Sequence, residues 1–173
     1  METKIKSELK FNGRIIQVYQ DEVEVNHKQA LRDVVIHPGG SAILVVKDEQ
    51  LLLVKQYRYV IGKALYEIPA GKLDAGELPI ICAKRELEEE TGYTCESLNE
   101  ITKLYSSPGI FNEQITIFEA INIHKVDNPL AMDEDEDISL HWFSIDEIKK
   151  MIINNEINDA KTLCAIQYYL LKK

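Results

Sequence analysis

The order of apolar runs and breaks along the chain predicts an α/β fold: an α/β/α sandwich on a mixed sheet, preceded by a small N-terminal β-domain. Ser41 to Val46 and Leu51 to Tyr57 are almost continuously apolar around the turn Lys47-Asp48-Glu49-Gln50, as central strands of a covered sheet are. Strand-like stretches interleave with few helical ones, which places the sheet between helices. The third observation is that residues 4 to 37 read as β-structure with turns.

Taken in order, Asn12-Gly13 marks a turn, and Ile15 to Tyr19 mixes β-branched and aromatic residues as strands do. Glu22 to Val25 alternates acid and valine before a polar turn at 26–29, and a second strand follows at Leu31 to Ile36. A hairpin pair of this size is marginal alone, so it needs something to pack on, a second subunit being one choice. His37-Pro38-Gly39-Gly40 reads as a short linker. Beyond the central strands, Glu67-Ile68-Pro69-Ala70 leads into a helix over about 78–91. Strands are expected at 98–105, 114–123 and 138–143, then two helices, Ser144 to Asn154 and Asn158 to Leu171. Ser144 and Glu147 offer a capping box for the first. Leu163, Ile166, Tyr169 and Leu170 make a core-facing stripe in the second.

With 173 residues, 45% hydrophobic and 28% charged, the chain is sized for one globular domain with a small appendage. Its net charge of −9 argues against nucleic acid and against an anionic membrane surface as partners. An anionic substrate then requires metal ions and local Arg or Lys residues to reverse the field at the site. No apolar run approaches the ~20 residues of a membrane span, and METKIKSELK has no signal-peptide core. Cys82, Cys95 and Cys164 are odd in number and lack metal-ligand spacing, which predicts reduced thiols and a cytoplasmic protein.

The chemistry concentrates in residues 71–93, GKLDAGELPIICAKRELEEETGY. Gly71 and Gly76 permit a tight turn, Pro79 suits the first turn of a helix, and Gly92 stands where a left-handed residue ends one. Ile80, Ala83 and Leu87 recur at helical spacing as an apolar face. Glu86 and Glu90 are four apart, with Glu89 beside them, so the carboxylates share one side of the helix. Such a run is ordinarily a solvated face. Crowding acids this way is unfavourable without a cation, and hard divalent ions take oxygen ligands, with phosphates completing the shell. Acids next to a glycine-containing loop therefore point to a metal-bridged phosphate site.

The stretch resembles, position for position, the Nudix box, G-x5-E-x7-R-E-U-x-E-E-x-G-U with U apolar; chance agreement of its fixed letters is on the order of 10⁻⁹ per start position. Pro108, sixteen residues beyond Gly92, narrows the resemblance to the ADP-ribose pyrophosphatase subgroup. FNGRIIQVY, IHPGGSAILVVKDEQLLLVKQYR, YEIPAGKL and DAKTLCAIQYYLLKK are similar to that group as well. The resemblance implies a Nudix-type sandwich over residues 39–173 and an N-terminal β-domain over 1–38 that serves dimerisation and the adenosine side. It further implies a homodimer and a Mg²⁺ cofactor, with Mn²⁺ an alternative.

Carried over residue by residue, the resemblance makes Glu86, Glu90 and the Ala70 carbonyl metal ligands. Glu89 binds metal or orients a water, and Arg85 and Glu77 brace the box. Arg58 binds phosphate, and Glu67 falls in the substrate-binding set. Arg32 and Asp33 belong to the adenosine half, Asp33 standing where relatives often carry Glu. Phe11 is either a platform for adenine or hairpin core. The second acidic run, residues 133–137, supplies Glu134 and Glu136 as general base and further metal contact, the two roles not separable; Glu113 is the competing candidate. The implied reaction is hydrolysis of ADP-ribose to AMP and ribose 5-phosphate. Another nucleoside diphosphate sugar is the rival substrate. A non-catalytic ADP-ribose sensor is the rival class, and that reading needs a degraded box or an attached DNA-binding domain.

Overall fold

The computed structural model describes residues 1–132 and 136–172. Asp133, Glu134 and Asp135 lie outside the described residues. The chain forms two compact units, Met1–Gly39 with Tyr105–Gln114, and Gly40–Leu104 with Ile115–Lys173.

The first unit is an antiparallel sheet of β1 (Glu2–Asn12), β2 (Gln17–Val25) and β3 (Lys28–Ile36), in that order. It holds more strand than the sequence suggested. The segments at 15–19 and 22–25 join into one strand. The charged stretch before Asn12 is a further edge strand, every residue of which is exposed. Lys4, Lys6, Glu8 and Lys10 alternate with Ile5, Ser7, Leu9 and Phe11, the period of a strand, and the charges guard its free edge. The β2–β3 connection is tighter than a four-residue turn: Asn26 and His27 take φ of 51° and 58°, the left-handed pair of a two-residue hairpin.

The second unit begins with the hairpin of β4 (Gly40–Lys47) and β5 (Gln50–Arg58), a turn of 3-10 helix at Tyr59–Ile61, β6 (Lys63–Glu67) and β7 (Ala70–Lys72). Helix α1 (Pro79–Thr91), β8 (Tyr93–Tyr105), β9 (Gln114–Lys125), β10 (Ile138–Ser144), α2 (Ile145–Ile153) and α3 (Ala160–Lys172) follow. The sheet order is β10-β5-β4-β9-β8, with β6 on β5 and β7 on β4. β4 and β9 are parallel while β5 pairs antiparallel with β4, β6 and β10, so the sheet is mixed.

Successive β4 side chains point to opposite faces, and both faces are covered. Ala42 and Leu44 pack with Ile148 and Met151 of α2 and Ala165, Ile166 and Tyr169 of α3. Ile43 and Val45 pack with Ala83 and Leu87 of α1. Each fully buried Leu or Ile contributes roughly 1.5–3 kcal/mol. The α/β/α sandwich expected from the apolar runs is thus the observed architecture. The Ser144–Glu147 capping box is present, and Leu163 and Leu170 pack against the core beside Ile166 and Tyr169.

Helix α1 starts with Pro79 and stops at Gly92, whose φ of 68° is left-handed and whose N–H donates to the Glu88 carbonyl at 2.8 Å. One expectation fails. Ile80 is 43% exposed; the buried arc comprises Cys82, Ala83, Glu86, Leu87, Glu90 and Thr91, and Ile80 stands just ahead of its first member.

Candidate active site

The site is built where β7 and α1 meet. Ser41 Oγ of β4 donates to the Pro79 carbonyl at 2.7 Å and fixes the start of the helix. Gly71 of β7 lies directly against the Glu86 carboxylate: a Cβ placed on it would stand 1.7 Å from Glu86 Oε1. The glycine is therefore needed for close approach rather than for a turn, since its backbone φ is not among the positive ones. Gly76, at φ 79°, supplies the turn.

Arg85 gathers the outer acids. Its Nε and Nη2 donate to both oxygens of Glu77 at 3.1 and 3.0 Å, and Nη1 donates to Glu86 at 2.7 Å and Glu89 at 2.8 Å. The hydrogen bond to Glu77, helped by the charge of Glu86 and the hydrogen bond to Glu89, holds the guanidinium firmly protonated. Glu90 lies deeper, its Oε2 accepting the Ala70 N–H at 3.0 Å. Burial pushes the Glu86 carboxyl up to about 7, with the charges of Glu89 and Glu136 acting the same way and Arg85 opposing them. Burial likewise pushes Glu90 up to about 8, reinforced by Glu86 and Glu136 and opposed by the Ala70 N–H and Arg58. Glu136 is thus electrostatically part of this cluster. Glu134 falls among the residues not described.

These donors suit a hard divalent ion. Glu86, Glu90 and Glu136 offer only oxygen, and Mg²⁺ is usually held by one or two carboxylates together with substrate phosphates rather than by a closed protein cage. Among the described residues no group of three or more His, Cys, Asp or Glu side chains is placed to hold a metal ion by itself. The Gly71 cradle keeps the Glu86 carboxylate against β7, and the repulsion within the acid group is what a cation relieves.

A second cluster has the opposite balance. Glu67, ending β6, is 2% exposed and accepts Arg58 Nε at 2.7 Å and Arg58 Nη2 at 2.8 Å, a bidentate pair. Lys161 Nζ donates to the same carboxylate and lies 3.1 Å from Asp159. Burial alone would raise Glu67, but the Arg58 hydrogen bond and the charges of Lys161 and Arg58 outweigh it and hold the group below the usual carboxylate range.

The remaining sequence candidates sit in the first unit. Arg32 grips Glu2 through Nε at 3.0 Å and Nη2 at 2.6 Å. Asp33 accepts Gln20 at 3.4 Å. Phe11 is 56% exposed and lies over Gly13, where a Cβ would come within 2.6 Å of its ring. It is therefore not hairpin core. Glu113 approaches His37 Nδ1 at 3.4 Å.

Sequence reasoning passed over Lys161. The available signal was its place in the first turn of α3, where the helix dipole disfavours a cation unless a specific acid offsets it.

A mixed sheet covered on both sides, with a buried carboxylate pair on one helix, defines the class of protein. The chain belongs to the NUDIX domain family, whose model matches residues 36–166, and is a Nudix hydrolase. Such hydrolases are generally dependent on a divalent metal. Over 174 aligned residues it is 41% identical to an ADP-ribose pyrophosphatase of Bacillus subtilis (strain 168), covering 99% of this chain and 94% of the relative. It is 40% identical to a methanol dehydrogenase activator of Bacillus methanolicus with the same coverage. The crystal structure of an ADP compounds hydrolase superposes with a TM-score of 0.86 at 22% identity, covering 97% of this chain and 91% of the other, a likeness of fold. Among the described residues no helix is long and apolar enough to cross a membrane.

Proposed function

We propose that this protein hydrolyses the diphosphate of ADP-ribose with water to AMP and ribose 5-phosphate, acting in the cytoplasm as a homodimer with Mg²⁺, or Mn²⁺ in its place. The observation that carries the reading is the buried Glu86–Glu90 pair beside the Arg58–Glu67 pair: Glu90 is held by the Ala70 N–H and feels the Arg58 charge. The full-length likeness to a named ADP-ribose pyrophosphatase supports the substrate.

In this reading Glu86, Glu90 and the Ala70 carbonyl hold the cation. When bound, the ion supplies positive charge against the phosphoryl oxygens and makes the attacking water more acidic. Glu136 accepts the proton of that water, Glu134 being the alternative on the same run, and Glu89 orients the water. Arg85 braces Glu77, Glu86 and Glu89, while the exposed part of Arg58 offsets charge on the diphosphate. Arg32, Asp33 and Phe11 serve the adenosine half, Glu113 is the competing base or a substrate contact, and residues 1–38 are the dimerisation part. That last role is supported by the exposed Ile5, Leu9, Phe11 and Leu31 of the three-stranded sheet.

A second reading has an observation of its own: the relative named for activating a methanol dehydrogenase is almost as similar as the pyrophosphatase, 40% against 41%. AMP release from ADP-ribose with Mg²⁺, for the wild type and Glu90→Gln, beside a panel of nucleoside diphosphate sugars, separates the readings. Preferred turnover of ADP-ribose that collapses in the variant is the expected result. Preference for another sugar nucleotide overturns the substrate. Tight binding without turnover on any of them leaves a sensor. Stimulation of a dehydrogenase by wild type, with little turnover of ADP-ribose, favours the activator.

A further inference from the structure

Resting on the hydrolase reading, we infer that Lys161 is a positioning residue for the substrate diphosphate, sharing the buried Glu67 carboxylate with Arg58 so that Arg58 keeps positive charge to offer. Lys161 is too enclosed to meet substrate itself, its side chain being 11% exposed against 40% for Arg58. Its action therefore runs through Glu67.

The charge balance shows why the lysine matters. A bidentate Arg58–Glu67 pair alone is neutral and would present a phosphate with no net attraction. With Lys161 on the same carboxylate and Asp159 3.1 Å from Lys161, the group of two cations and two acids is neutral, and without Lys161 it would carry a net negative charge beside Arg58. The other Asp159 oxygen caps the start of α3, accepting the Thr162 N–H at 3.0 Å and the Thr162 hydroxyl at 2.6 Å. Thr162 Oγ1 in turn accepts the Ile68 N–H at 2.9 Å. The first turn of α3 is thus clipped to Glu67 through Lys161 and to Ile68 through Thr162, immediately ahead of Ala70. A cation in the first turn opposes the helix dipole, so its presence there is accounted for by the acids it meets.

The test compares Lys161→Met, Lys161→Arg and Asp159→Asn with wild type, reading KM, kcat and melting temperature on the substrate that wild type hydrolyses best. Lys161→Met is expected to raise KM about tenfold, the loss of one charge-assisted hydrogen-bonding group, with kcat changed far less, and Lys161→Arg to restore most of it. Asp159→Asn keeps the helix cap, Asn being as good there as Asp, and removes a negative charge, so it is expected to lower KM by about twofold or more. A merely structural role predicts instead that both substitutions raise KM. That result, or an unchanged KM in a folded Lys161→Met, overturns the inference. If Lys161→Met does not fold, the sign of the Asp159→Asn change decides. Were wild type to hydrolyse nothing, the hydrolase reading would fall by itself. The dissociation constant of ADP-ribose in EDTA, where no turnover interferes, would still read the same contrast between Lys161→Met and Asp159→Asn.

Discussion

Two arginine–carboxylate clusters stand close together in the second unit and are built on opposite arithmetic. At the box, one guanidinium, Arg85, serves Glu77, Glu86 and Glu89, while Glu90 is held by a backbone donor instead. At the end of β6, two cations, Arg58 and Lys161, share one carboxylate. In the first cluster burial pushes Glu86 and Glu90 up, and the neighbouring cations do not offset it. The second has enough, and its buried acid stays ionised. The difference teaches that burial alone does not decide what a carboxylate does. An acid group left under-compensated is a site for a cation, whereas a fully compensated acid is a fixture that aims the groups around it.

The largest expected effect breaks the first cluster. Glu86→Gln should lower kcat by about 10²–10³-fold, yet leave the metal-free protein as stable as wild type or more so, because a crowded buried charge is removed. Calorimetry beside an AMP-release assay reads both, and a variant that loses stability along with activity would contradict the account. Next, Gly71→Ala puts a methyl group where Glu86 Oε1 now sits. An activity loss on the order of 10²-fold, with the sheet and helices intact by circular dichroism, is expected; full activity would show that Glu86 need not touch β7.

The pH dependence sharpens the contrast. Glu86 and Glu90 have folded-state values of about 7 and about 8, above the 4.5 of the unfolded chain. Their contribution to stability is complete below that unfolded value and is lost as pH rises through 7 and 8. In EDTA the melting temperature should therefore fall over this window, and Mg²⁺ should restore more of it at pH 8 than at pH 6. Glu67, held below its ordinary range, works the other way: its contribution is present above the unfolded value and is lost as pH falls through the folded one. A metal-free melting temperature that climbs from pH 6 to 8 would count against the assignment. The smallest effect belongs to Ile80→Ser, at the exposed end of α1: stability within about 0.5 kcal/mol of wild type and unchanged turnover.

Local signals carried the helix and the acids. Pro79 and Gly92 mark the ends of α1 in the residues themselves, and the four-residue step from Glu86 to Glu90 is enough to put both on one side of a helix. What stayed hidden depends on distance along the chain. Glu67 and Lys161 are brought together across the fold by α3, and nothing local to either names the other, so Arg58 read as a lone phosphate ligand rather than one member of a shared group. β1 lies within the stretch read as β-structure, and the alternation of Ile5, Leu9 and Phe11 with Lys4, Lys6, Glu8 and Lys10 is the local signal for drawing it as a strand. Ile80 erred because a sound period was carried too far toward the helix start.

The parallel pairing of β4 with β9 has a consequence for how the molecule comes into being. Gly40 to Val45 is joined to Ile115 to Ala120, and the same strand receives β7 through Ala42 and Ala70. Closing so long a loop before its contacts are rewarded is slow, which puts such topologies toward the millisecond-to-second range. The β4–β9 pairing, rather than the β4–β5 hairpin, is thus among the last to be secured. During refolding, recovery of catalysis should trail helix formation and arrive in a single late step, with few molecules half able to turn over substrate.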